Sequence, residues 1–121
     1  GTMINKWGYE ECLVCNDKYC LKRLYIRQRV KLPLRYHKFK KVTLFLEKGQ
    51  VDLELDGQKS LMFKNRAYTI NPNSKYRLTS YQDSVILEVS SVARLSSELD
   101  DVFIVEEGAD LESLGEFYFR L

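Results

Sequence analysis

Arg35-Tyr36-His37-Lys38-Phe39-Lys40-Lys41-Val42-Thr43-Leu44-Phe45-Leu46-Glu47-Lys48-Gly49 is the stretch from which the fold is read. It follows Pro33, which cannot donate to a β-ladder and so separates it from the segment before. It carries the only histidine of the chain. Val42 to Leu46 is apolar except for Thr43, the pattern of a strand buried on both faces. Lys48-Gly49 then supplies a turn. By parity along an extended segment, Arg35 and His37 project to the same side.

Downstream, Val51, Leu53 and Leu55 alternate with Asp52 and Glu54, which predicts a strand with one wet face. Asp56-Gly57 offers the left-handed backbone that a tight hairpin needs. Strands are expected again at Lys59–Phe63, Ala67–Ile70, Lys75–Thr79 and Val85–Val89, with turn residues between them. Upstream, Glu11–Cys15 reads as a short strand, Asn16-Asp17 as a turn, and Tyr19–Leu32 as one long strand. Past Ser91 the pattern loosens. A last edge strand is expected around Asp100–Val105, a short helix over Ala109–Gly115, and a packed aromatic end at Phe117–Leu121. About nine short strands with regular turns predict an all-β barrel or sandwich. Residues 1–121 form a single domain in this reading, with Gly1-Thr2-Met3 set aside as a cloning remnant.

The composition, 45% hydrophobic and 30% charged, suits a globular chain and excludes a disordered one. No apolar run is long enough to span a membrane, and no leader is visible, so a cytoplasmic protein is expected. Cys12, Cys15 and Cys20 are an odd set, which favours reduced thiols over a disulfide framework. The Cys12/Cys15 spacing alone is weak support for a metal or redox site. The net charge of +2 conceals a split. Every charged residue from Lys18 to Lys41 is basic, and every one from Glu98 to Glu116 is acidic. Such a split serves an anionic ligand, a nucleic acid, or contact between the two regions, or it is a solvated face.

Set in order, Trp7-Gly8, Asn16-Asp17-Lys18-Tyr19-Cys20, Tyr36-His37-Lys38, Gly49, Asp56-Gly57, Tyr68-Thr69-Ile70-Asn71-Pro72 and Leu87-Glu88-Val89-Ser90 resemble the cupin superfamily. The likeness is to small single-domain cupins similar to the C-terminal barrel of bifunctional mannose-6-phosphate isomerases. It implies a double-stranded β-helix, the cupin jelly-roll barrel, with a short C-terminal helical or irregular tail. In that family two histidines, a glutamate and a third histidine bind a divalent metal. Here the resemblance puts Arg35, His37, Val42 and Tyr76 at those places. Arginine is permanently cationic, valine has no donor atom, and a phenol seldom ligates. No metal and no cofactor are therefore expected. Asn65 and Asn73 stand where the family has glycine, and asparagine tolerates left-handed backbone.

The resemblance also implies a pocket. Arg35, His37, Tyr76, Leu44, Leu78 and Glu88 are its expected lining, with Arg35 forking an anion. His37 and Tyr76 are the catalytic candidates, as in metal-independent cupin epimerases and ketoisomerases that use a histidine base and a tyrosine acid. The expected ligand is a small anionic or sugar compound, such as a sugar phosphate or nucleotide sugar, with isomerase- or epimerase-type activity as an extension. The competing reading is a degenerate barrel acting as a structural or interaction module. In that reading Arg35 pairs with Glu88, Tyr76 fills the lost metal's volume and His37 is structural. A homodimer is expected, membrane association is not, and nucleic-acid binding through the basic stretch is disfavoured.

Overall fold

The computed structural model describes residues 1–92 and 101–111 of the chain. Thirteen strands are present among these residues. They are β1 (Thr2–Asn5), β2 (Gly8–Cys15), β3 (Tyr19–Ile26), β4 (Val30–Lys31), β5 (Leu34–Tyr36), β6 (Val42–Lys48) and β7 (Val51–Leu55). There follow β8 (Gln58–Leu61), β9 (Ala67–Ile70), β10 (Tyr76–Ser80), β11 (Ser84–Ser91), β12 (Phe103–Glu106) and β13 (Ala109–Asp110). One sheet runs β1-β2-β3-β11-β6-β9. The other runs β12-β5-β10-β4-β13, and β7 pairs with both β10 and β8. All pairings among them are antiparallel. The expected all-β, jelly-roll architecture is what these residues form.

The core follows the alternation read from the sequence. Val42, Leu44 and Leu46 of β6, Leu24 and Ile26 of β3, and Ile86 of β11 are buried from one sheet. Val51 and Leu53 of β7 with Tyr76 and Leu78 of β10 meet them from the other. The turns behave as their residues demand. Asp56 and Gly57 are left-handed (φ 48° and 87°) between β7 and β8, and Asn65 and Asn73 take φ of 66° and 70°.

Several expectations are corrected. Tyr19–Leu32 is not one strand: the chain turns at Arg29 (φ 56°), so β3 joins one sheet and β4 the other. The run of basic residues hid this corner, because arginine carries no turn signal. Thr2 and Met3 are not idle, since their backbones pair with Glu11 and Glu10. Ala109 and Asp110 are strand, not helix, because β4 offers them an open edge. Residues 112–115 of the expected helix and the aromatic end lie outside the described residues. Finally, Cys15 and Cys20 are register partners across the β2–β3 hairpin and are joined as a disulfide, so only Cys12 is a free thiol.

Candidate functional site

Arg35 on β5 and Tyr76 at the start of β10 are direct register partners, which sets their side chains next to each other on one face. The Arg35 guanidinium carbon lies 5.6 Å from the Tyr76 ring centre. His37, just past β5, reaches the same phenol: its Nε2 is 2.9 Å from the Tyr76 hydroxyl. Its Nδ1 lies 2.8 Å from the backbone carbonyl of Asp101. A carbonyl can only accept, so Nδ1 carries the proton and Nε2 accepts from the Tyr76 O–H. The structure brings Arg35, His37 and Tyr76 into one contact cluster.

The loop that carries His37 is held by one buried carboxylate. Asp101, fully buried, accepts from the backbone N–H groups of Lys38 (2.8 Å), Phe39 (3.3 Å to each oxygen) and Lys40 (3.0 Å). Asp101 thus fixes both the loop and, through its own carbonyl, the ring of His37. Sequence reasoning missed this role. Asp101 is more than sixty positions from its partners, and only the pairing of β12 with β5 brings it back.

Burial lowers the pKa of His37, and the cations Lys40 and Arg35 lower it further against the opposing hydrogen bond to Asp101. Burial also pushes the Tyr76 phenol up to about 12, with Arg35 pulling the other way. Both groups are therefore neutral near pH 7. The pKa of Arg35 is raised, by Tyr76 first and then by Glu88 and Glu10, against the opposing effect of its own burial, so it stays cationic.

A cavity of about 220 Å³ opens beside this cluster. Its wall combines Arg35 and Glu10 with Trp7, Leu24, Ile26 and Leu32, drawn from both sheets. Of the predicted lining, Arg35 stands on this wall. Leu44 and Leu78 lie in the core (0% and 1% exposed), and Tyr76 (1%) and His37 (5%) form a layer behind Arg35. Glu88 is buried on β11 opposite Leu44. Trp7 and Glu10 were not singled out as site residues. The Trp7-Gly8 pair was visible, but nothing in the sequence tied it to Arg35. A larger groove of about 470 Å³ over Tyr9, Tyr25, Lys48 and Asp83 holds none of the cluster.

No model of a protein family matches the sequence, and no curated protein matches it. Solved structures do match. KdgF from Halomonas sp. superposes with a TM-score of 0.67 at 13% identity, over 71% of this chain and 79% of that one. The nucleoside dehydratase Pac13 of Streptomyces gives 0.70 at 13%, over 85% and 82%. An RmlC-like cupin from Shewanella frigidimarina gives 0.65 at 13%, over 71% and 77%. The chain has a cupin fold. Within it, the narrower likeness to mannose-6-phosphate isomerase barrels rests on the sequence words alone.

Cupins of the metal-binding pattern need several imidazole or carboxylate donors facing one point. The residues of this chain do not fit such an ion. Arg35 would repel it, and the one imidazole present has its nitrogens engaged by Tyr76 and Asp101. Among the described residues, no three His, Cys, Asp or Glu side chains come together as a metal-binding group.

Proposed function

We propose that this cupin is a metal-independent binding domain for a small anionic ligand of sugar size, held by Arg35 in the cavity bounded by Trp7 and Glu10. The observation that carries the reading is the placing of Arg35, the one cation among the lining residues, on the wall of an otherwise largely apolar cavity. Tyr76 and His37 support it from behind, a neutral pair that orients Arg35 without competing for its charge. At about 30 Å³ per water, the cavity has room for roughly seven waters. That suits a sugar phosphate or a compound of similar size, and would take only the sugar end of a nucleotide sugar.

Isomerase- or epimerase-type activity is a further step. It requires the Tyr76 hydroxyl to turn from His37 to the ligand, whereas binding requires no such movement. Variants of Pac13 with a histidine or a tyrosine replaced have been solved with uridine. The deep burial of Tyr76 argues against that further step. The alternative to binding is a barrel that serves as a non-catalytic interaction module.

Thermal shift separates the two. A small anion of sugar size, a sugar acid or a monosaccharide phosphate, at a hundredfold excess over its Kd should stabilise the protein by about 2.7 kcal/mol, and Arg35→Ala should abolish the shift. A chelator should leave it unchanged. Silence across small anions and sugars would discard the binding reading in favour of the interaction module.

A further inference from the structure

The proposed site leaves open which anion Arg35 would hold, and the charges around the cavity discriminate between the two common kinds. Arg35 and Glu10 stand on the wall. Lys22 lies 3.8 Å from the Glu10 carboxylate, so these two offset each other. Arg35 is then the one cation among the residues of the wall. His37 and Tyr76 behind them are neutral, since burial disfavours the charged form of each.

We infer that the ligand's anionic group is a singly charged carboxylate, carried on a small ring-bearing acid, and not a phosphate. The inference rests on the binding reading above. A phosphate ester brings close to two negative charges at neutral pH, and the single arginine of the wall cannot balance them. A carboxylate brings one, and its two oxygens match the planar fork of a single guanidinium. Lys22 does not relieve the shortage, because Glu10 already holds it.

The remainder of the wall describes the body of the ligand. Trp7, Leu24, Ile26, Leu32 and Pro33 present apolar surface to whatever lies on Arg35. Such a wall takes the flat face of a ring, either the C–H face of a sugar acid or an aromatic ring. Glu10 distinguishes these two sources, because a carboxylate accepts hydrogen bonds from ring hydroxyls and gains nothing from an aromatic edge without them.

Calorimetric titration of the whole chain with glucuronate, phenylacetate, glucose and glucose 6-phosphate tests the inference. Glucuronate or phenylacetate should bind at least tenfold more tightly than glucose 6-phosphate and glucose, and Arg35→Ala should remove that preference. Glu10→Gln, which releases Lys22 from its carboxylate partner, should narrow the gap between carboxylate and phosphate by severalfold. A lead of glucuronate over phenylacetate would identify a sugar acid, and the reverse an apolar acid. Tighter binding of glucose 6-phosphate overturns the carboxylate assignment while leaving the anion site in place. Absence of binding by all four overturns both.

Discussion

The proton on Nδ1 of His37 is spoken for by the Asp101 carbonyl, and Nε2 is spoken for by the Tyr76 hydroxyl, so protonating the ring means breaking a buried contact. Its pKa in the folded protein lies below the ordinary 6.5, with burial as the largest cause. The unfolded chain therefore takes up a proton before the folded one does. Stability should be fully present above pH 6.5 and fall as the pH drops from there through the lower folded value. This is the chain's only histidine, so no other imidazole contributes to that window. Urea unfolding between pH 7 and 5.5 should show the slope in the wild type and lose it in His37→Gln. An unchanged slope in the variant would refute the assignment. Tyr76→Phe makes a separate point, since it leaves Nε2 buried and without its donor. That should destabilise by about 1–3 kcal/mol at pH 7, read from the urea midpoint at constant m-value.

At the scale of the elements, two glycines in hairpin turns look alike in the sequence and differ in space. Gly49 (φ 97°) joins β6 to β7, and Gly57 (φ 87°) joins β7 to β8. A Cβ on Gly49 would run into Ser84 and come within 2.6 Å of the Asp83 carbonyl, whereas at Gly57 it would meet open space. Both alanine variants carry the left-handed penalty of roughly 1–2 kcal/mol. Only Gly49→Ala adds a clash with backbone, so its loss should exceed that of Gly57→Ala by about 1–3 kcal/mol. Equal losses in thermal unfolding would show that the turn can move away from β11. The same comparison indicates what was legible in the chain. The two-residue alternation of β7 and the Asp56-Gly57 turn are local signals, and so β6 to β10 were readable. The corner at Arg29 was not, because its left-handed backbone is imposed by the two sheets that claim β3 and β4. Arg35, His37 and Tyr76 were found together through the family resemblance. Trp7 and Glu10 were not, because their place beside Arg35 depends on how β1 and β2 close one end of the barrel.

For the whole molecule, part of the acidic region folds back against the basic one. The 101–111 segment lies along the basic region, with β12 on β5 and β13 on β4. Arg27 meets Asp110 at 3.0 Å, and the buried Arg77 meets Glu106 at 3.1 Å while its other nitrogens donate to the carbonyls of Leu32 and Glu107. These contacts are unequal in weight. Arg27 and Asp110 are both well exposed, and such a pair contributes no more than about 1 kcal/mol and is screened by salt. Asp101 is buried and serves three backbone N–H groups, and removing an acceptor of that kind leaves donors without partners at about 1–3 kcal/mol each. The segment is therefore fastened at Asp101 and only trimmed at Asp110. Asp101→Ala should cost about 3 kcal/mol or more. It should also strip amide-exchange protection from Lys38–Lys40 and from Phe103–Glu106 together, because one carboxylate joins the two. Asp110→Asn should cost under about 1 kcal/mol and leave both stretches protected. If the two variants lost protection to the same extent, the fastening would have to be assigned to the charge split as a whole, and high salt would then loosen the segment as effectively as the loss of Asp101.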